Sequence, residues 1–283
     1  MLTQTFWTAT LLSLTNLFSP AHAEESSGSN VTPLGMSGEF EIVFFDEFEE
    51  PTLDLSKWTT CYWWDRNGCT NLGNNELQWY MPDNVRLENG YLVFTAIPED
   101  VIGWEGKPFS YTSGMVTTGR YYLEDPMQTR FEAIGGVFEM RAKLPSGQGL
   151  WPAFWLLPSS LEPKPEIDVV EVLGRRPEFL EMNFHYRDDD GEPKNIGHSV
   201  ETVDLTKGWH TYSVDWRSDK IVWYLDGVEM WRYSEAQRIP NEPMYLLLNL
   251  AVGGNWPGDP DETTVFPAEM LIDYVRVWNR SSP

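Results

Sequence analysis

Basic residues are scarce in this sequence. Its 283 residues include 20 Lys and Arg against 43 Asp and Glu, which gives a formal net charge of −23. Nucleic acids and anionic membranes are bound through basic surfaces, so this balance argues against both classes of partner. The basic residues are also scattered, and only Arg175 and Arg176 are adjacent. If the protein binds a polymer, its charge favours a neutral one.

Cysteine is almost absent, with Cys61 and Cys69 as the two examples. No other Cys or His lies near this pair, so a metal site is disfavoured there. Two cysteines eight positions apart in an exported chain are typical of a local disulfide, which would close the loop CYWWDRNGC. We therefore predict a disulfide between them.

Long apolar runs are missing after the first 23 residues. The stretch 1–23, MLTQTFWTATLLSLTNLFSPAHA, is apolar and ends in the small-x-small pattern Ala21-His22-Ala23, which predicts a secretory signal peptide. A membrane anchor is the alternative, but about 15 apolar-leaning residues are short for a membrane span. We expect a secreted protein, extracellular or periplasmic, that is monomeric and not attached to a membrane once the signal is removed.

The remainder of the chain reads as a lead-in followed by one domain. Residues 24–38 are small and polar, which predicts a flexible segment. Residues 39–280 contain no internal repeat and no second linker, and their length suffices for one large core. We expect a single domain over 39–280.

Helical periodicity is rare as well. Most segments are short runs of apolar and β-branched residues bounded by Gly or Pro, a pattern typical of strands. The predicted strands include 91–96, 135–144, 180–187, 209–216, 220–227, 244–252 and 270–278. Only 234–239 has a briefly helical pattern. Many closely spaced strands predict an all-β sandwich of two antiparallel sheets.

The segment 166–174, EIDVVEVLG, places three carboxylates in a run that otherwise resembles a buried strand. Side chains alternate along a strand, so Glu166 and Asp168 share one face. Glu171 lies an odd number of positions after Glu166 and would face the opposite way in a regular strand. A β-bulge near Val169 and Val170 would return it to the acidic face. The same bulge would direct the apolar residues toward a core.

Three interpretations of this acidic strand compete. A solvated outer face fits poorly, because apolar residues flank the strand on both sides. A calcium site is possible in principle, but calcium loops are richer in Gly and Asn than in β-branched residues. The third is a glycosidase pair, in which one carboxylate attacks the anomeric carbon and the other protonates the leaving oxygen. A middle Asp168 could separate the titrations of Glu166 and Glu171.

Aromatic residues are abundant, with 14 Trp. Trp151 and Trp155 are four positions apart and would share a face of an extended segment. Any single Trp is more often a core residue than a ligand contact. Taken together, flat aromatic faces beside a carboxylate strand suit the apolar faces of sugar rings.

Several segments resemble glycoside hydrolase family 16. EIDVVE resembles the E-x-D-x-x-E signature of the branch with a β-bulge, and GNNELQWYMPDNVRLENGYLVFTA, LPSGQGLWPAFWLLP, GWHTYSVDW and LNLAVGGNWPG resemble the family in the family's order. The resemblance covers about residues 40 to 279. It implies a concanavalin-like β-jelly-roll sandwich with a sugar-binding cleft on its concave face.

The resemblance also implies roles for individual residues. Glu166 would be the nucleophile, Glu171 the general acid/base and Asp168 an assisting carboxylate. Positions similar to the family's substrate contacts are Asn75, Trp151, Trp155, His185 and Trp256. No cofactor is implied for catalysis, but many family members bind a structural calcium ion, to which Asp273 and the Gly90 carbonyl would correspond.

The substrate implied by the resemblance is a neutral β-glucan. NNELQWY and GGNWPG resemble laminarinases, which cut internal β-1,3 bonds, and we expect retaining hydrolysis. LEPKPEIDVVEVLG and the Cys61–Cys69 loop depart from the laminarinase pattern. Mixed-linkage glucan, a succinoglycan-type exopolysaccharide, agar and carrageenan therefore remain alternatives. A non-catalytic, lectin-like carbohydrate-binding module is a further alternative, against which the intact carboxylate trio argues.

Overall fold

The structure is a computed structural model that describes residues 31–62, 69–121, 128–160 and 162–280. The predicted signal peptide and residues 24–30 of the predicted lead-in lie outside the described residues. No helix among the described residues is long and apolar enough to cross a membrane.

Within the described residues, sixteen strands form two sheets, and the all-β prediction is confirmed. The strands are β1 Phe40–Asp46, β2 Gln78–Tyr80, β3 Val85–Glu88, β4 Tyr91–Ile102, β5 Pro108–Ser113, β6 Met115–Thr117, β7 Gly136–Lys143, β8 Leu150–Pro158, β9 Glu166–Glu171, β10 Phe179–Arg187, β11 Pro193–Glu201, β12 His210–Trp216, β13 Ile221–Leu225, β14 Val228–Tyr233, β15 Met244–Val252 and β16 Ala268–Arg280. Short 3₁₀ turns cover Leu72–Asn74, Pro82–Asn84, Trp104–Gly106 and Ala236–Arg238. The last of these lies in the segment with the predicted helical pattern.

The larger sheet has ten strands and the smaller has six. The larger runs β14-β13-β12-β7-β16-β4-β5-β2, with β1 beside β16 and β3 beside β4. The smaller runs β11-β10-β9-β8-β15-β6. Neighbouring strands are antiparallel except β2 and β5. The acidic strand β9 lies inside the smaller sheet, between β8 and β10.

Strand alternation sorts the apolar side chains of the smaller sheet into two clusters. Phe154 of β8 and Leu248 of β15 belong to the main core, which also contains residues of the larger sheet. Trp155 and Leu247, one position away, belong to a second cluster with Tyr80. Both faces of β15 are therefore covered, which explains why its sequence, MYLLLNLAV, is apolar without alternation.

The compact unit begins at Thr32, seven residues before the predicted start of the domain at residue 39. Pro33 is buried, and the backbone N–H of Leu34 donates to Glu139 Oε2 at 3.0 Å. Glu139 is a buried carboxylate and needs such donors. Pro33 and Leu34, within the predicted lead-in, therefore contact the domain.

Cys61 and Cys69 form a disulfide, as predicted. Their Cα atoms are 4.8 Å apart, which is within the range that a disulfide requires. Cys61 is buried. The bond joins two described residues on either side of 63–68.

Candidate active site

The β-bulge predicted for the acidic strand is present. On β8, the neighbours Phe154 and Trp155 pair with Val170 and Asp168, so one position of β9 has no partner. The unpaired position is Val169. On the other side, β10 shows the same shift of register between Glu181 and Asn183. The extra residue changes the alternation of the strand at this point.

The bulge brings all three carboxylates of β9 to the wall of one cleft. Glu166, Asp168 and Glu171 all line it, whereas Ile167 and Val170 are buried in the main core. Asp168 and Glu171 are buried and Glu166 is partly exposed. One extra residue in the strand therefore explains why its carboxylates face the cleft while its apolar side chains face the core.

Glu171 is held by two neutral donors. The indole N–H of Trp151 donates to its Oε1 at 3.2 Å, and the amide of Asn183 donates to its Oε2 at 2.7 Å. Burial raises the pKa of Glu171 well above its usual range, and the nearby Asp168 raises it further. A carboxyl group that keeps its proton near neutral pH is suited to act as a general acid.

Glu166 has a different environment. The ammonium group of Lys164 forms an ion pair with Glu166 Oε2, and each of these side chains is 20% exposed. This contact can hold the Glu166 carboxylate in one position, and a carboxylate can act as a nucleophile. The two glutamates therefore have different neighbours, a cation beside Glu166 and two neutral donors beside Glu171.

Asp168 lies between the two glutamates in sequence and is almost fully buried. Burial raises its pKa well above the usual range, and the charge of Glu166 raises it further, although Lys164 opposes this. His185 Nε2 lies 3.1 Å from Asp168 Oδ2. Burial lowers the pKa of His185, which favours the neutral imidazole. A protonated Asp168 beside Glu166 can share its proton with that carboxylate.

The cleft around these residues has a volume of about 870 Å³. Four of the five predicted substrate contacts line it: Trp151, Trp155, His185 and Trp256. Trp151 and Trp256 meet edge to face with ring centroids 5.4 Å apart. Aromatic faces and carboxylates on one wall suit a sugar chain.

Comparisons with known proteins agree with this geometry. Residues 100–276 match the model of the family described as glycosyl hydrolases family 16. A Rhizobium meliloti (strain 1021) protein named endo-1,3-1,4-beta-glycanase EglC is 37% identical over 83% of this chain and 51% of its own length. A beta-glucanase of Rhodothermus marinus is 32% identical over 84% of this chain and 85% of its own. The chain belongs to glycosyl hydrolase family 16.

Solved structures support the same family 16 assignment. The laminarinase catalytic domain of Thermotoga maritima MSB8 is similar with a TM-score of 0.75 and 33% identity, over 86% of this chain and 99% of that one. The predicted jelly-roll sandwich is thereby confirmed. The chain spans about half the length of the first curated relatives that it matches.

Asn75, the fifth predicted substrate contact, stays a prediction. Asn75 is absent from the cleft lining, and its side-chain amide donates to Asn255 Oδ1 at 2.8 Å. It has the left-handed conformation (φ 55°) that ends the 3₁₀ turn Leu72–Asn74. Its sequence neighbours Asn74 and Glu76 line the cleft instead.

Several cleft residues were missed by the sequence reasoning. They are Tyr62, Asn71, Asn74, Glu162, Lys164, Asn195 and Tyr245. Lys164 lies before the start of β9, so strand alternation gave no signal for it. Asn195 had no local signal, because it reaches the cleft through the pairing of β11 with His185 on β10.

Glu76 is buried and lies in a polar network that reaches the cleft. Its Oε1 accepts from Asn74 Nδ2 at 2.9 Å and its Oε2 from Gln78 Nε2 at 2.6 Å. Tyr80 also forms a side-chain hydrogen bond with Glu76. Asn249 donates to Tyr80 Oη at 3.1 Å and accepts from the indole of Trp155, a cleft residue, at 2.8 Å. Burial raises the pKa of Glu76 to about 7.

Neither candidate metal position fits an ion well. Oxygen and nitrogen atoms of Glu166, Asp168 and His185 lie within 4.8 Å of one another, but Lys164 already places a positive charge on Glu166. At the predicted calcium position, the Asp273 carboxylate is paired with the guanidinium of Arg141. A calcium ion would have to displace that cation, and calcium binding at Gly90 and Asp273 stays a prediction.

Proposed function

We propose that the protein is a secreted endo-β-glucanase that hydrolyses internal β-1,3 or mixed β-1,3/1,4 bonds of a neutral glucan and retains the anomeric configuration. The observation that carries the proposal is the bulged strand β9, which directs three carboxyl groups to one cleft. The difference in environment between Glu166 and Glu171 supports separate roles for them.

In the first step, an Oε atom of Glu166 attacks the anomeric carbon while Glu171 gives its proton to the departing glycosidic oxygen. This forms a glycosyl ester on Glu166 and leaves Glu171 ionised. In the second step, Glu171 takes a proton from water, and the water oxygen attacks the same carbon. The ester breaks, and Glu166 and Glu171 return to their starting states. Two inversions at one carbon give net retention.

A neutral substrate is supported by the charges of the cleft. Lys164 is the only Lys or Arg among its described lining residues, and it is already paired with Glu166. A sulfated or uronic polymer would meet Glu76, Glu162 and the catalytic carboxyls without a free cation. The names of the relatives, endo-1,3-1,4-β-glycanase and laminarinase, support the β-glucan class and internal cleavage.

Export is supported by two observations. The disulfide between Cys61 and Cys69 is a bond that persists in oxidising compartments. The predicted signal peptide over 1–23 would supply the route. Cleavage before Glu24, detected by N-terminal sequencing of protein from the culture medium or periplasm, tests this part of the proposal.

Release of reducing ends from laminarin, lichenan, agarose and carrageenan tests the activity. We expect hydrolysis of laminarin or lichenan, with a fall in viscosity that precedes most of the sugar release. Glu166→Ala should abolish it, and Glu132→Gln, an exposed carboxylate outside the cleft lining, should not. Activity on agarose or carrageenan alone would refute the substrate class.

Proton NMR of the released ends tests the stereochemistry. Retention gives the β-anomer first, and mutarotation then produces the α-anomer. Initial appearance of the α-anomer would refute the two-step mechanism even if both glutamates proved essential.

A further inference from the structure

A hydrogen bond from the opposite sheet reaches the bulge of β9. The indole N–H of Trp223 donates to the backbone carbonyl of Asp168 at 2.8 Å, and the bond is buried. Trp223 belongs to β13 in the ten-stranded sheet, whereas Asp168 belongs to the six-stranded sheet. The carbonyl is that of the residue immediately before Val169, the extra residue of the bulge.

This contact is possible because the bulge disturbs the ladder. Carbonyls in a regular strand lie in the plane of the sheet and accept from the neighbouring strand. A bulge locally disrupts this pairing. A carbonyl that accepts from a side chain of the facing sheet has turned out of the plane toward the core. Left without a donor there, it would be a buried unsatisfied acceptor.

Trp223 is rigidly placed for this task. Its side chain is fully buried, and its ring stacks on Trp231 with centroids 4.3 Å apart. The core therefore holds the indole N–H at one point, and the bulge carbonyl is bound to that point. A fixed donor restricts the backbone of β9 between Asp168 and Glu171.

We propose that Trp223 is a positioning residue of the active site, which acts through the Asp168 carbonyl to hold the bulge that directs Glu171 to the sugar. The proposal rests on the proposed glycosidase function. Small displacements of a catalytic group lower the rate strongly, because proton transfer requires hydrogen-bond distance to the leaving oxygen. Trp223 is fully buried and outside the cleft lining, so its effect should fall on kcat and not on KM.

The experiment compares Trp223→Phe with Trp216→Phe. Trp216 is also a buried tryptophan of the ten-stranded sheet, and its indole N–H donates to a backbone carbonyl, that of Pro240, at 3.1 Å. Both variants lose one ring and one buried hydrogen bond, but only Trp223 is bonded to β9. We expect similar losses of thermal stability, a fall in kcat of about ten-fold or more for Trp223→Phe, and unchanged kcat for Trp216→Phe. KM should stay within about two-fold for both.

Amide hydrogen exchange gives a second readout that needs no activity. Exchange at Val169, Val170 and Glu171, measured relative to the rest of the core, should accelerate in Trp223→Phe and not in Trp216→Phe. Equal kinetics and equal exchange in the two variants would overturn the proposal. If the wild type hydrolyses no glycan, the proposed function fails, and the exchange comparison still decides whether Trp223 anchors the bulge.

A variant of the same shape covers the case in which Trp223→Phe does not fold. Site-specific incorporation of 3-benzothienylalanine at position 223 keeps the two fused rings and replaces the N–H with sulfur. We expect the same loss of kcat and the same faster exchange. A fully active benzothienyl variant with wild-type exchange would overturn the proposal, because the bulge would then keep its position without the hydrogen bond.

Discussion

Glu76→Gln should change how the stability of the protein depends on pH. The Glu76 side chain is buried, and its pKa is raised by burial from the usual 4.5 to about 7. Between these two values the folded state holds a proton that the unfolded state has released. Stability therefore decreases as the pH rises through this window, by 2.303RT per pH unit for each such group. Glu76→Gln removes this contribution.

The magnitude follows from the size of the shift. A shift from 4.5 to about 7 is about 2.5 pKa units, and at 1.36 kcal/mol per unit this corresponds to about 3 kcal/mol. The variant should therefore gain about 3 kcal/mol relative to the wild type between about pH 4.5 and pH 8. If the substitution also changes stability by an amount that does not depend on pH, the whole curve shifts and this pH-dependent gain is unaffected. Gln can retain the hydrogen bonds to Asn74 and Gln78, because Asn74 is able to turn its amide and present its oxygen.

Urea unfolding monitored by Trp fluorescence at a series of pH values measures this difference. Asp168 and Glu171 also have raised pKa values, but both are present in the two proteins, so their contributions cancel in the difference. Glu132→Gln serves as the control, since it removes an exposed carboxylate. Parallel stability curves for Glu76→Gln and the wild type would refute the reasoning, because they would mean that Glu76 titrates alike in the folded and unfolded states.

Three further predictions concern the site and the disulfide. Glu171→Ala should lose about 10²–10⁴-fold in turnover on glucan but much less on aryl glycosides, whose leaving groups need no proton; equal losses on both would contradict its role as the acid. Asp168→Asn should fold normally, slow catalysis and move the alkaline limb of the pH–rate profile to lower pH, because Asp168, once it has lost its proton as the pH rises, helps to raise the pKa of Glu171. An unmoved limb would argue against this coupling. Reduction of Cys61–Cys69 should lower stability by about 2–3 kcal/mol without unfolding the domain, and unfolding on mild reduction, followed by circular dichroism, would contradict this.

The sequence alone determined the features that depend on local periodicity. Alternation and β-branched residues located most of the strands, and the 244–252 prediction coincides with β15. The odd spacing of Glu166 and Glu171 was sufficient to predict the bulge, because side-chain direction along a strand has a period of two. The family motif added the assignment of roles, which spacing could not supply.

Tertiary structure decided what depends on residues far apart in the chain. Asn75 matched a motif, but the left-handed turn directs its side chain to Asn255, 180 positions away. The lead-in was predicted as flexible from its composition, yet Leu34 satisfies the buried Glu139 in β7. Burial, and with it the raised pKa of Glu76, is a property of the packed surroundings. The bond from Trp223 to Asp168 joins opposite sheets, and no local pattern encodes which strand faces which across a core.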